Sequence, residues 1–285
     1  MQAGLVAAEF DFLRALIRDR SAIVLDPGKE YLVESRMLPL LRSERLGSIA
    51  ALVAALRAAP RGELERKVVE AMTTNETSWF RDVHPFNALR SDFLPALLTA
   101  RAAERKLRFW STACSSGQEA YSLTITLAEY FPQLRDWDVQ ILATDLSREM
   151  VERAQQGRYG QLEINRGLPA PHVVRYFERQ GVHWQVKPEL RRLVRARQIN
   201  LIEAWPALPR FDVILLRNVL IYFDLETKRG ILRRARQALR PDGVLFLGSA
   251  ETTFMVDDGW ERLSTSGSVA YRPQASRSSA VAVSV

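Results

Sequence analysis

The residues best suited to binding a ligand come at the ends of predicted apolar strands. These are the small-residue segment ACSSGQE (113–119), Asp145, and the pair Arg217-Asn218. In an open α/β sheet, ligands bind beyond the carboxyl ends of the strands. We therefore predict that these three groups meet at one ligand site.

The segment ACSSGQE and Asp145 together indicate a ligand that contains a nucleoside. The segment leads into a predicted helix whose first backbone N–H groups can face a ligand, but it lacks the Gly-x-Gly-x-x-Gly pattern of dinucleotide sites. The Asp145 carboxylate can accept the two hydrogen bonds that a ribose diol donates. The alternatives are that Asp145 belongs to the cap of a helix beginning near Ser147 and that Asn218 caps a turn.

The charge of the chain is uneven. The 285 residues carry a formal net charge of +7, which invites an acidic partner. Residues 1–75 hold 11 Lys and Arg against 10 Asp and Glu, whereas residues 160–200 hold eight against three. A local docking surface is one interpretation of this excess, and a solvated arginine-rich surface is the other.

Metal and membrane sites are not expected. The single cysteine, Cys114, and three histidines without helical pairing exclude a multi-thiolate or paired-histidine metal site. Apolar runs such as 50–56 fall short of the roughly 20 residues of a membrane span, and the first residues, MQAGLVAAEFDF, lack the features of a signal peptide. We expect a cytoplasmic monomer without membrane insertion.

Helical periodicity dominates the first 75 residues. Apolar residues recur at helical spacing in the segments 9–18, 30–42, 48–58 and 63–73. Pro39 is expected to kink or end the second of these helices. The polar stretch TTNETSWF (73–80) ends the bundle, and a further helix is expected over 84–100.

After residue 106 apolar strands alternate with helices. Strands are predicted at 107–112, 137–145, 211–218 and 243–251, helices at 118–131, 147–155 and 225–240, and a hairpin at 260–272 with Ser266-Gly267 near its turn. The segment 157–200 interrupts this order and is interpreted as an inserted antiparallel lobe, although periodicity does not decide whether LRRLVRARQINL is helix or strand. The pattern predicts an α/β fold whose open sheet has a mixed edge.

Several stretches carry a family resemblance. They are TTNETSWFRD, ACSSGQEAYSLT, ILATDLS, the RGLP and RYF pieces, INL, and LLRNVLIYFD. In this order, over about residues 10–272, they are similar to the CheR family of S-adenosylmethionine-dependent protein-glutamate O-methyltransferases. The resemblance implies a Rossmann-like methyltransferase sheet, an N-terminal all-α domain and a small inserted antiparallel β-subdomain.

The resemblance also implies domain boundaries. The expected parts are a helical domain at 1–75, a linker and helix at 76–106, a methyltransferase domain at 107–272 with the β-subdomain at about 157–190, and a disordered tail at 273–285.

The implied cofactor is S-adenosyl-L-methionine, with S-adenosyl-L-homocysteine as the product. The implied cofactor-binding residues are Asn75, Thr77, Arg81, Glu119, Asp145, Asn200, Leu201, Arg217 and Asn218. Asp145 is expected on the ribose side, and Asn200 with Leu201 beside the adenine. Arg81 and Tyr222 are the implied catalytic residues at the point of methyl transfer. The alternative for Tyr222 is a core aromatic.

The implied substrates are glutamates in the cytoplasmic helical bundle of a chemoreceptor, methylated during chemotaxis adaptation. The basic segment 160–200, with Arg36 and Arg42 as a second contact, is expected to meet this acidic surface. Some relatives tether the receptor's terminal peptide through a Gly-rich loop, which ERQGVHWQVKPEL lacks, so the peptide-independent branch is expected.

Three other functions stay open at this point. They are methylation of nucleic acid, suggested by the charge alone, methylation of another protein, and a non-catalytic cofactor-binding sensor. No Asn-Pro-Pro-Tyr-like turn follows the strand 211–218, which argues against base amino groups as acceptors. No nucleic-acid partner is expected.

Overall fold

A computed structural model of the protein describes residues 5–265 and 267–274. The expected turn residue Ser266 and residues 275–285 of the expected tail lie outside the described residues. The described chain begins with a helical bundle formed by α1 (Ala7–Ser21), α2 (Glu30–Ser43), α3 (Ile49–Ala58) and α4 (Glu63–Ala71). The apolar stripes of these helices bury a separate core, as their spacing predicts.

Helix α2 does not end at Pro39 but continues to Ser43. Proline has no N–H to donate to the carbonyl four residues earlier, which belongs to Ser35. Because Ser35 is exposed, water can satisfy that carbonyl and the helix can continue. The expected helix over 84–100 is divided into α5 (His84–Ala88), a π-helical turn (Leu89–Phe93) and α6 (Leu94–Ala100).

The remaining helices and strands alternate along the chain. The helices are α7 (Gln118–Tyr130), α8 (Arg148–Gln156), α9 (Gln161–Ile164), α10 (Ala170–Tyr176), α11 (Pro188–Arg191) and α12 (Leu225–Ala238). The strands are β1 (Lys106–Thr112), β2 (Asp138–Asp145), β3 (Arg158–Gly160), β4 (Phe177–Gln180), β5 (His183–Val186), β6 (Val194–Gln198), β7 (Phe211–Leu216), β8 (Leu239–Leu247), β9 (Trp260–Ser264) and β10 (Val269–Pro273).

Two sheets organise the described part of this region. Seven strands form a mixed sheet in the order β6-β2-β1-β7-β8-β10-β9, in which β10 and β9 provide the antiparallel edge. Strands β3, β5 and β4 form the small antiparallel sheet. These sheets and the N-terminal bundle confirm the predicted fold class.

One local prediction needs correction, and one undecided assignment is resolved. The helix expected over 225–240 ends at Ala238, and β8 begins at Leu239 rather than at 243, with a register irregularity beside Phe211. The undecided stretch LRRLVRARQINL contains the end of α11 and the edge strand β6, which pairs in parallel with β2. Because β6 is largely exposed and carries Arg195 and Arg197, it lacks the apolar run of a buried strand.

No helix within the described residues is both long enough and apolar enough to span a membrane.

A buried ion-pair group holds the amino ends of the central strands. The Arg101 guanidinium donates to Asp212 at 2.7 Å and to both oxygens of Asp242 at 2.9 and 2.6 Å. Asp212 is fully buried, and its second oxygen accepts a hydrogen bond from the Arg108 amide at 2.8 Å. The Arg101 partner keeps the pKa of Asp242 below its usual range. This group connects α6 to the starts of β1, β7 and β8.

We predict that Arg101→Met strongly destabilises the fold. The variant removes the hydrogen-bonded cation of the buried Asp212 carboxylate and leaves only Arg240, whose Nε atom lies 3.6 Å away, which costs about 3–5 kcal/mol of unfolding free energy. Urea titration measures this loss. The matched variant Arg105→Met, at a residue whose side chain is 55% exposed, should stay within about 0.5 kcal/mol of the parent. Similar midpoints for both variants would refute this role of Arg101.

Candidate active site

A cavity of about 320 Å³ opens at the carboxyl ends of β1, β2 and β7. Loops after these strands form one side, and the N-terminal bundle with the polar stretch after α4 forms the other. All residues predicted for the site line this cavity: Asn75, Thr77, Arg81, Glu119, Asp145, Asn200, Leu201, Arg217, Asn218 and Tyr222. The structure thus brings the predicted residues together, while their individual roles stay predictions.

The loop after β1 has backbone conformations that are uncommon for residues other than glycine. Ala113 and Ser115 adopt positive φ angles of 48° and 50°, and Gly117 has φ of 97°. A Cβ atom on Gly117 would lie 3.0 Å from the Cα atom of Ala154 in α8. Positive φ is uncommon for residues other than glycine and persists where the surroundings fix it. The loop is therefore a rigid wall of the cavity.

The Asp145 carboxylate accepts hydrogen bonds from the protein backbone and can still accept others from a ligand. One carboxylate oxygen accepts a hydrogen bond from the Ser115 amide at 2.8 Å, and the other accepts one from the Ser147 amide at 2.9 Å. Burial raises the pKa of Asp145, and these donors oppose that effect. Since each carboxylate oxygen can accept two hydrogen bonds, the group can still receive a diol. The helix cap itself is the Ser147 side chain.

Arg217 is the centre of a buried charge network. Its side chain is 1% exposed, and its guanidinium donates to Glu119 at 2.8 Å, to the Arg81 carbonyl at 2.6 Å and to Asp82 at 3.1 Å. The other oxygen of Glu119 accepts a hydrogen bond from the Ser111 hydroxyl at 2.7 Å. Burial raises the pKa of Glu119, although Arg217 opposes this. The network connects β7, α7 and the segment after TTNETSWF.

The aromatic end of TTNETSWF anchors that stretch. The Trp79 ring is buried, and its Nε1 atom donates to the Glu163 carbonyl at 3.0 Å. The Trp79 amide donates to the Arg166 carbonyl at 3.0 Å. A Cβ atom on Gly167 would lie 2.5 Å from the Trp79 carbonyl oxygen, so only glycine fits there. With Trp79 held, the polar residues before it are kept over the cavity.

The N-terminal bundle covers the cavity from the other side. Arg36 in α2 donates to the Thr73 carbonyl at 2.6 Å and to the Thr74 hydroxyl at 3.1 Å, and it lines the cavity. Asn200 donates to the Arg20 carbonyl at 2.8 Å. The expected receptor contact of Arg36 does not agree with this position, because its guanidinium is committed to the cavity wall.

Glu251 is a site-shaping residue that sequence reasoning missed. Its carboxylate accepts hydrogen bonds from the amides of Gly248, Asn218 and Val219 at 2.7, 2.8 and 2.9 Å, and a longer one from Ile221 at 3.3 Å. Asn218 has φ of 57°. The available signal was that Glu251 ends the strand predicted over 243–251, just as Asp145 ends the strand predicted over 137–145.

The cavity also has apolar lining residues, which include Leu25, Leu32, Ile199 and Phe223. An apolar wall suits a purine, a carboxylate suits a ribose diol, and guanidinium groups suit an amino-acid carboxylate. This combination fits S-adenosylmethionine. Among the described residues, no group of three or more His, Cys, Asp or Glu is placed to hold a metal ion. The Rossmann-like sheet and this cavity agree with the S-adenosylmethionine-dependent methyltransferase that the family resemblance implies.

Comparison with known proteins gives the family. Residues 75–268 match the profile described as "CheR methyltransferase, SAM binding domain", and residues 8–73 match "CheR methyltransferase, all-alpha domain". The chain belongs to the CheR methyltransferase family and uses S-adenosylmethionine.

Named relatives align over nearly the whole chain. Chemotaxis protein methyltransferase 1 of Pseudomonas aeruginosa is 42% identical, with 93% of this chain and 97% of the relative covered. Chemotaxis protein methyltransferase Cher2 of Pseudomonas putida is 39% identical with the same coverages. The CcbJ methyltransferase structure from Streptomyces caelestis aligns with 62% of this chain and 53% of its own, at 14% identity and a TM-score of 0.35, which is too distant to bear on function.

We predict that Asp145→Asn weakens the binding of S-adenosylhomocysteine. Loss of a charge-assisted hydrogen bond corresponds to about 1.5–3 kcal/mol, or roughly 10- to 150-fold in Kd, measured by calorimetry. Asparagine keeps one acceptor for the amides of Ser115 and Ser147, whereas alanine would remove both.

The matched control for this prediction is Asp138→Asn, at the opposite end of β2. Asp138 is exposed and pairs with Arg108, so the same chemical change there should leave the Kd unchanged. An Asp145→Asn protein with the parent's Kd would remove Asp145 from the site.

We predict that Glu251→Gln loosens the Asn218 loop. The NH2 group of glutamine cannot accept hydrogen bonds from the backbone amides. At least one charge-assisted hydrogen bond is therefore lost, at a cost of about 1–3 kcal/mol. Amide hydrogen exchange at Asn218 and Val219 should accelerate, and methyl-transfer turnover should fall. Glu261→Gln, at an exposed residue of β9, is the control. Unaltered exchange and turnover would contradict the assignment.

Proposed function

We propose that this protein methylates specific glutamate side chains in the cytoplasmic helical bundle of a chemoreceptor, and therefore acts in the cytoplasm. Support comes from the family and from relatives named chemotaxis protein methyltransferases. The observation that carries the proposal is the meeting of TTNETSWF, the loop after β1, Asp145 and the Arg217-Asn218 pair around one cavity.

The proposed reaction requires no proton transfer to or from the protein. When bound, S-adenosylmethionine supplies an electrophilic methyl group on a sulfonium sulfur. A glutamate side chain has an ordinary pKa of about 4.3, so the acceptor is already a carboxylate at neutral pH. No general base is required, which agrees with the absence of histidine from the described lining of the cavity. The protein must align the acceptor carboxylate and exclude water.

Arg81 and Tyr222 are proposed to align the acceptor. Arg81 is partly exposed, lines the cavity, and donates to the Glu76 carbonyl at 3.1 Å. That contact engages one end of the guanidinium fork and leaves donors for a carboxylate. Tyr222 lines the cavity from a short 3₁₀ turn, Leu220–Tyr222, where its hydroxyl can contact the acceptor.

Receptor capture is proposed to be electrostatic in part. Of the basic residues in 160–200, Arg166 is paired with Glu76 and Arg175 with Glu129. Arg195 and Arg197 are exposed on the edge strand β6 and remain suited to an acidic helical surface. Exposed ion pairs contribute at most about 1 kcal/mol each, so docking should be weak, fast and salt-sensitive.

A tether to the receptor's terminal peptide is not part of the proposal. Residues Gly181 and Val182 alone connect β4 to β5, so the small sheet has no long Gly-rich loop at this hairpin. This short connection supports the peptide-independent branch.

The test is transfer of labelled methyl groups to receptor cytoplasmic fragments. We expect base-labile label on receptor glutamates, its loss when those residues are replaced by alanine, and equal labelling of fragments with and without the C-terminal tail. Label on RNA or DNA, or on no macromolecule at all, would reject the proposal. Loss of labelling on removal of the tail would reject only the peptide-independent assignment.

We predict that Arg81→Ala lowers turnover much more than cofactor affinity. The main-chain carbonyl that Arg217 binds is retained in this variant, so the linker should keep its place. Loss of acceptor alignment should reduce kcat about 10- to 100-fold, with the Kd for S-adenosylhomocysteine nearly unchanged. Arg81→Lys keeps the charge without the fork and should recover only part of kcat. A fall confined to cofactor affinity would make Arg81 a cofactor ligand instead.

A further inference from the structure

Large apolar side chains are exposed on three segments beside the cavity: Val24, Ile221, Leu225, Phe254 and Met255. Hydrogen bonds bring these segments together. The Val24 amide donates to the Tyr222 carbonyl at 3.3 Å, and Arg229 donates through Nε to the Val256 carbonyl at 3.0 Å. Glu251, three residues before Phe254, accepts from the Ile221 amide at 3.3 Å. The exposed group therefore borders the Tyr222 side of the cavity.

The loop that carries Phe254 and Met255 has a fixed conformation. The Thr253 carbonyl accepts hydrogen bonds from the amides of Val256 and Asp257, both at 3.0 Å. The Val256 side chain packs against the buried core behind the loop. Met255 has φ of 58°, which a non-glycine residue keeps only where its surroundings impose it. Phe254 and Met255, each 76% exposed, are thus held outward.

The position of this group indicates what it binds. A contiguous exposed apolar patch beside a cavity marks a binding surface. Tyr222 lines the cavity and Ile221 precedes it in the same turn, so a protein segment that inserts a glutamate beside Tyr222 would pass Ile221 and approach the loop that Glu251 links to it.

We propose that Ile221, Phe254 and Met255 form the docking surface for the acceptor helix of the protein substrate. Residues three or four positions from a helical glutamate lie on the same face, about 5–6 Å away. Apolar residues at those positions of the acceptor helix would contact this surface while the glutamate enters the cavity. This proposal rests on the proposed function and adds a salt-insensitive contact to the salt-sensitive capture by arginine.

The test compares Phe254→Ser, Met255→Ser and the double variant with the parent on a receptor cytoplasmic fragment. We expect the double variant to raise KM for the fragment at least tenfold, with kcat within threefold and an unchanged Kd for S-adenosylhomocysteine. Phe254→Leu should keep most of the affinity because it keeps an apolar side chain, and the unchanged Kd for S-adenosylhomocysteine shows that the variants are folded. The increase in KM should persist at high salt.

The control is Tyr130→Ser, because Tyr130 is also exposed but ends α7 at the opposite end of that helix from the cavity. Its KM should match that of the parent. An unchanged KM in the double variant overturns the proposal when the parent methylates the fragment. If KM is unaltered but the double variant sediments differently from the parent, the proposal is overturned in favour of a second copy of the chain. If KM is unaltered but the double variant pellets differently with anionic vesicles, it is overturned in favour of a lipid surface. Failure of the parent to methylate any fragment rejects the proposed function itself.

Discussion

The candidate site depends on the buried guanidinium of Arg217, whose hydrogen-bond partners lie on separate segments of the chain. An arginine side chain in a protein interior is costly unless acids and carbonyls satisfy it. The Arg217 guanidinium donates to Glu119 of α7, to the backbone carbonyl of Arg81 and to the side chain of Asp82. The sheet, the helix after β1 and the segment from the bundle must therefore all be in place before this charge is satisfied.

Carboxylates also fix the backbone of the loops around the cavity. Asp145 binds the amides of two loops, and Glu251 binds the amides that follow β7 and β8. Each carboxylate replaces hydrogen bonds that irregular loops cannot make within themselves. Loops with positive φ angles can then stand at the ends of strands without losing their shape.

Much of the fold and part of the site could be predicted from local rules, whereas other site residues, such as Asn75 and Arg81, were implied only by the family resemblance. Buried strands such as β7 are continuous apolar runs, and polar residues after them point to one edge of the sheet. Strand β6 could not be predicted, because arginines on an exposed edge hide the strand pattern. Arg36 was not recognised as a wall residue, nor Glu251 as the support of the Asn218 loop, since most of their partners are backbone atoms that only the folded chain brings near. Helix α2 passes Pro39 because solvent replaces a hydrogen bond there.

The hydrogen bonds from Asn200 to the Arg20 carbonyl and from the Val24 amide to the Tyr222 carbonyl join the bundle to the methyltransferase domain, and they bear on how the family can diversify. Recombination that joined the bundle of one relative to the sheet of another would keep both cores intact and yet separate residues that have adapted to each other across the cavity. Inheritance of the two parts as a single unit avoids this mismatch. Substitutions in the bundle that alter ligand binding should accordingly be accompanied by changes at the ends of the strands.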